Sequence, residues 1–474
     1  MKKIVALILV FALVLSTTAC GDNKTEENSG NSSNKDNGVK EKIVIWTQAA
    51  PDHPEGKMFA NRIEAYNAEN PDAMQVEIQN FTRAGSGSGY IDKLNAAITS
   101  NQMPDIFTLD GPDVASYVEA GVIRSLDDIL DTAFVNGFTD AMIEQGTVNS
   151  ELYALGYQDS GVVVMYNEDV INELPENVRS IIPGPDEDWT WTEFYEVANE
   201  VNALRTDPEF QDKEHISKLE LTVDFLTSDI PKGAYEIAMY FLLPMIWSNN
   251  ANVVAEDGLT LDGYLDSPET IEALKVFGDF FANDLALAIE PEKSFHTGKA
   301  AMAIGGFWFI NDLTSNYPST KFRSVRYPKM DADFDGNYTP SGSWAFVASN
   351  NVEQGTDKAE QVGDVLEWLT NDEAAEEYYH ANGAIPGRTN AVSVIDTDTE
   401  NPYHNEAWHV LKYQVENTNK ARPISVGYPY LSETFARDVI MRIAQNEIND
   451  TETIEQYVDD AIKKIKFEFD RYQK

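Results

Sequence analysis

Cysteine is almost missing from this 474-residue chain: it occurs once, at Cys20. The body that follows can form no internal disulfide and no thiolate-bound metal cluster. Histidine is scarce too. The six (His53, His215, His296, His380, His404 and His409) include no HExxH pair. His404 and His409 are five apart, the wrong spacing for one helical face. Positive charge is short, with 35 Lys and Arg against 79 Asp and Glu, a formal net charge of -44. A nucleic-acid binder needs a positive footprint, so that partner class is excluded. The same charge favours solubility and repels anionic surfaces. It also makes neighbouring carboxylates commonplace, so a pair of them is no sign of acid–base catalysis. There is no internal repeat, and the one long apolar run is Ile4 to Leu15.

That run follows Lys2 and Lys3. It is too short to span a membrane as a mature helix and has the length of a signal-peptide core. Ser16, Thr17, Thr18 and Ala19 then lead into Cys20. Small residues before a lone Cys resemble a bacterial lipoprotein cleavage site. That pattern prefers Leu where this chain has Thr17, with Leu15 two residues further out. An ordinary signal peptide cut near Ala19 is the alternative. Residues 21–40, GDNKTEENSGNSSNKDNGVK, hold almost no apolar side chain and read as a tether that cannot fold. The expected start is thus a signal peptide over 1–19 and a tether over 20–40 carrying a lipid on Cys20. A diacylglyceryl group there makes the attachment stable.

The body is too long for one ordinary core, and its 42% apolar and 11% aromatic residues suffice for at least two lobes. KIVIW (42–46) predicts a first strand. Met58, Ile63 and Tyr66 predict a helix that ends before Asn70-Pro71, and MQVEIQNF alternates like a strand. Ile91, Leu94 and Ile98 fall at helical spacing after the loop GSGSGY; Pro104 stops that helix and DIFTLD predicts a buried strand. Strand–helix alternation of this kind argues a parallel α/β sheet. The rhythm restarts at GVVVMYN (161–167). Thr190 with Glu193 predicts a capping box opening a helix through Val201. Ser267-Pro268 predicts another helix start. SWAFVASN (343–350) reads as a strand. Thr370 with Glu373 predicts a second capping box, closed by Gly383. Ile454, Val458, Ile462, Ile465 and Phe469 mark one face of a long final helix. Residues 205–230 carry no clear period.

Five segments, in order, resemble one family, the family 1 extracellular solute-binding proteins of ABC importers, and its sugar binders in particular. They are QMPDIFTLD, GVVVMYNEDV, DWTWTEFYEVANEV, FHTGKAAMAIGGFW and EWLTNDEAAEEYYHANGAIPGR. The resemblance covers residues 41 to 474. It implies an α/β, two-lobe periplasmic-binding-protein fold of type II kind, with a ligand cleft between lobes and a hinge that closes over it. Carried over, the N-terminal lobe is 41–158 plus 330–385 and the C-terminal lobe is 162–327 plus 388–474. It also implies a lipid-anchored, monomeric protein on the outer face of the cytoplasmic membrane. Such a protein captures a carbohydrate, an oligosaccharide above all, and passes it to permease subunits with a separate ATPase, without chemistry. A non-sugar solute is the alternative within this class, and a secreted polysaccharide hydrolase the alternative outside it.

Sugars offer flat C–H faces and hydroxyl edges, so their cleft needs aromatic platforms and directional polar partners. Trp308 sits past the AMAIGG strand, where the family's tryptophan stacks on sugar; Gly305 and Gly306 leave space above the backbone. Phe307 is expected in the core, because neighbours in a strand point oppositely. The resemblance further points to Asp110 at the end of DIFTLD, although an N-cap is an equal reading. It points to Tyr157, Gln158 and Asp159 before the crossing strand, to Trp247 in LLPMIWSNN, and to Trp344 in PSGSWAF. Trp46 and Gln48 end the first strand, and Arg388 follows a hinge-like Pro-Gly. Trp189, Trp191, Trp368 and Trp408 are expected to pack.

Three motifs are set aside or left open. TGKAA is no P-loop, since Lys293 and Ala300 stand where Gly and Ser/Thr are required. GSGSGY is neither GxGxxG nor GxSxG. Asp331, Asp333, Asp335 and Gly336 match the first half of a calcium loop, but Gly342 occupies the position of its closing Glu. An acidic turn is the plainer reading and a calcium ion on Asp331, Asp333 and Asp335 the alternative; no other cofactor is expected.

Overall fold

The computed structural model describes residues 41–82, 89–330, 336–342, 344–397 and 401–470, within a compact unit that begins at Glu41. Two sheets organise it. The first contains β1 (Lys42–Thr47), β2 (Gln75–Asn80) and β3 (Ile106–Asp110), joined by Ala154–Gly156 and Trp344–Ala348. β1 pairs parallel with both β2 and β3, and Trp344–Ala348 runs antiparallel to β3 with Trp344 opposite Asp110. Alternation along KIVIW puts Ile43 and Ile45 fully inside. Helix α1 (Pro54–Glu69) starts on a His53 cap with proline in its first turn, and buries Met58, Phe59, Ile63 and Tyr66.

Helix α2 (Tyr90–Ser100) is rolled relative to the expected face. It buries Tyr90, Leu94 and Ala97, while Ile91 and Ile98 are exposed. The Tyr90 hydroxyl is the reason: it donates to the Thr108 carbonyl at 2.8 Å and accepts from the Thr108 N–H at 3.0 Å. A buried phenol needs such partners, and α2 turns so that this one has them.

The second sheet has the order Phe322–Val325, Val163–Asn167, Ala300–Gly305, Leu221–Asp224. The strand Val163–Asn167 is antiparallel to both neighbours. Val164 and Ile304 point into one core with the helices Trp191–Thr206, Tyr235–Ser248, Pro268–Ala282 and Thr451–Phe469. Val163 and Met165 point into the other, with Phe309, Trp408 and Leu411. The capping box of Thr190 and Glu193 is present, and its helix runs on to Thr206. The second box is not. Thr370 ends one helix and donates back to the Leu366 carbonyl, and Asn371 caps the next by accepting from Ala374 N. Gly383 closes that helix at φ +63°. The five residues expected on the inner face of the final helix (Ile454, Val458, Ile462, Ile465 and Phe469) are buried, while Phe467 points out to solvent. Among the described residues no helix is long and apolar enough to cross a membrane.

The chain passes between sheets at Gln158–Gly161 and again before Trp344. Asp159, buried there, accepts hydrogen bonds from Ser160 N (2.7 Å), Ser341 Oγ (3.1 Å), Gly342 N (3.2 Å) and Asn419 Nδ2. Thr339–Ser341 and Asn419–Ala421 pair in parallel beside it. One carboxylate thus ties three segments at the junction of the lobes.

Candidate functional site

The strand Ala300–Gly305 ends under two rings. Phe307 and Trp308 are the first residues of a helix, Phe307–Asn316, rather than strand neighbours. Helical geometry separates them: Phe307 packs at 6% exposure and Trp308 remains 37% exposed. The two glycines differ in purpose. A Cβ on Gly305 would lie 2.7 Å from Phe309 and 2.9 Å from Met165, so Gly305 is a packing residue and offers no open floor. A Cβ on Gly306 would lie 2.3 Å from the Trp308 ring and 2.8 Å from the Gly161 carbonyl. Gly306 is therefore what lets the indole lie down against the crossing segment. There Trp308 meets Tyr240 edge-on, with ring centroids 5.7 Å apart.

Tyr240 leads to a polar group at the junction of the lobes. Its hydroxyl donates to the Ser160 carbonyl at 2.7 Å. The Arg422 guanidinium lies over its ring at 5.1 Å. Arg422 donates to Asp110 at 2.7 Å and to Glu236 at 2.8 Å. Glu236 also accepts from the hydroxyls of Tyr428 and Ser432. Burial works against the charge on Arg422, but Asp110 and Glu236 outweigh it and hold the guanidinium protonated. Burial, aided by Asp110, pushes Glu236 up, while Arg422 pulls it down. Asp110 makes no side-chain capping bond to the turn that follows, and it pairs with Arg422. A half-exposed indole beside two carboxylates, a guanidinium and phenols can hold an apolar face and a hydroxyl edge together.

The remaining predicted residues lie elsewhere. Tyr157 is a core residue at 2% exposure, stacked on Tyr378, with its hydroxyl donating to Glu55 at 2.8 Å. Gln48 is buried beside it and donates to the same hydroxyl and to Glu55. Gln158 is buried in a short strand opposite Pro386. Trp46 is half-buried and packs edge-on against Phe81. Trp344 is buried and packs edge-on against Tyr90. Trp247 is 2% exposed, with the Lys420 ammonium 4.8 Å above its ring. In this conformation Tyr157, Trp344 and Trp247 are buried, and Trp46 keeps partial exposure. Arg388 is a structural staple of the first lobe: it donates to Asp372 at 2.7 Å and to the Phe134 carbonyl, and sits over Phe134 and Phe138. The segment at Arg388 therefore packs with the first lobe, not the second. Cys20 and the acidic turn of Asp331, Asp333 and Asp335 lie outside the described residues, as does Arg83. Among the described residues no His, Cys, Asp and Glu cluster is arranged to hold a metal.

Sequence reasoning missed Arg422, Glu236 and Tyr240. Each is an isolated polar or aromatic residue with no spacing signal, and Glu236 is one of 79 acids. A separate cavity of about 610 Å³ lies between Phe138, Asp140, Ile143 and Glu144 of the first lobe and Ile424. It is lined by none of the residues gathered around Trp308.

Two α/β lobes, three segments tied by Asp159 at their junction and a ring-and-carboxylate set beside it define a two-lobe solute-binding protein. The chain belongs to the bacterial extracellular solute-binding protein family, whose sequence pattern matches residues 61–407. It is 21% identical to the diacetylchitobiose-binding protein DasA of Streptomyces coelicolor, over 82% of each chain. It is 22% identical to the galactooligosaccharide-binding protein of Bacillus subtilis, over 81% of this chain and 80% of that one. The cyclic α-maltosyl-1,6-maltose-binding protein of Arthrobacter globiformis has the same fold. It superposes with a TM-score of 0.70 at 18% identity, covering 90% of this chain and 98% of that one.

Proposed function

We propose that this protein captures a carbohydrate, an oligosaccharide, at the junction of its lobes and delivers it to a membrane permease driven by a separate ATPase. The observation that carries the reading is Trp308: a large ring held open beside Tyr240, next to Asp110, Arg422 and Glu236. An apolar sugar face stacks on such a ring while its hydroxyls exchange hydrogen bonds with charged partners. The relatives named for chitobiose and galactooligosaccharide binding support the same ligand class. The protein performs no chemistry and uses no cofactor; binding shifts an open–closed equilibrium that the permease reads. It acts as a monomer on the outer face of the cytoplasmic membrane, held by a lipid on Cys20 and a tether over residues 20–40.

A thermal-shift screen against mono- and oligosaccharides tests the ligand class. Ligand at a hundred times its dissociation constant stabilises the folded state by about 2.7 kcal/mol. One structural series of sugars raising Tm supports the reading, and a flat panel with a non-sugar solute raising it sinks the reading. Metabolic labelling with a fatty acid, lost in Cys20→Ala, tests the anchor.

A further inference from the structure

Arg422 joins carboxylates that belong to different lobes. Asp110 ends β3 of the first sheet, and Glu236 lies in the first turn of the second-lobe helix Tyr235–Ser248. The segment after Arg422 packs on the second lobe, with Ser425 on Gly258 and Gly427 on Phe469 of the final helix, while Asn419–Ala421 before it also lies against the first-lobe helix Asp140–Gly146. Beside the bridge, the turn Gly111–Asp113 rests on the helix Tyr428–Phe435. Arg422 bonds carboxylates of both lobes, so parting that contact strains the bridge between Asp110 and Glu236.

The bridge is sheltered, since the Arg422 side chain is 2% exposed. Screening by salt and competition from water act weakly on a buried pair. The guanidinium is also aimed in advance. Glu236 fixes one arm, and Tyr428 and Ser432 fix Glu236. The arm toward Asp110 therefore loses little freedom when it bonds. The Arg422 Nε is buried with no partner among the described residues, so the second arm is what anchors that end of the side chain across the junction.

We propose that Arg422 is a lobe-closing latch, whose bond to Asp110 biases the protein toward the closed form before any solute arrives. Every group in the latch belongs to the protein, so it acts whatever the solute is, and it goes beyond the reading of the site as a carbohydrate receptor. The test is an interlobe distance without solute. The full chain carries Cys20→Ser with spin labels at Glu64→Cys and Glu455→Cys, both exposed. Asp110→Asn and Arg422→Gln each move the distance distribution to longer values, and the double variant moves it no further than the larger single effect. Arg422→Lys keeps the charge but loses the fork and falls between. Should Arg422→Gln fail to fold, Asp110→Asn decides alone. A distribution unchanged in Asp110→Asn overturns the latch. No sugar is present, so this failure is distinct from a failure of the carbohydrate reading.

Discussion

The Trp308 indole meets the Tyr240 phenol edge-on at 64°, with centroids 5.7 Å apart and Gly306 beneath it. Its neighbour Phe307 faces the opposite way, into the core against Trp408. Two adjacent rings thus divide, one half-exposed at the junction and the other packed in the core, and the proposed function gives the first to recognition. Trp308→Ala is expected to weaken carbohydrate binding at least tenfold, about 1.4 kcal/mol, with little loss of Tm. Phe307→Ala is expected to lose about 3 kcal/mol of stability. Calorimetric titration and denaturant melts of the two variants check the division; equal affinity loss in both removes it.

Tyr157→Phe removes a buried hydroxyl that donates to Glu55 and accepts from Gln48. The expected result is a destabilisation of about 1–2 kcal/mol with carbohydrate affinity unchanged. A large affinity loss at constant stability would return Tyr157 to the binding site.

Arg388→Ala breaks a pair with Asp372 and two ring contacts inside the first lobe. A loss of about 2–4 kcal/mol is expected, since Asp372 retains water on its exposed side. Urea melts read the loss, and a titration with the ligand found above is expected to give wild-type affinity. Affinity that falls in step with stability contradicts the assignment.

Burial pushes the Asp159 carboxyl up to about 6, and burial with the neighbouring Asp224 pushes Glu290 up to about 7. Both exceed the ordinary carboxylate value, so the folded chain holds these protons more tightly than the unfolded one. Their contribution to stability is full below about pH 4. It is lost as pH rises through about 6 for Asp159 and about 7 for Glu290, up to ~3 kcal/mol each. In Asp159→Asn, stability is expected to fall less between pH 4 and 6 than in the wild type. Parallel pH profiles for the two proteins refute the assignment of that slope to Asp159.

Much of the architecture was legible because it rests on local signals. The β-rich runs at 42–46, 106–109 and 163–166 are strands. Thr190 with Glu193 is a capping box, and Ile454 through Phe469 keep a helical period. Where local signals compete, tertiary partners decide. Tyr90 outbids Ile91 and Ile98 for the inner face because its hydroxyl reaches Thr108. Asn371 takes the cap from Thr370, which the preceding helix already uses. The site was less legible. Residue type marks Trp308, Trp247 and Trp344 alike, but only burial separates the first from the others. Arg422 and Glu236 are 186 residues apart in the chain, and only the fold brings them together with Asp110.

The most direct test is calorimetric titration of residues 41–474 with oligosaccharide series of defined linkage, in the wild type and in Trp308→Ala. The account predicts saturable binding of one series by the wild type, with a negative heat-capacity change from apolar burial, and at least tenfold weaker binding by the variant. Binding that is absent across every series, or that survives unchanged in Trp308→Ala, contradicts a carbohydrate held on this ring.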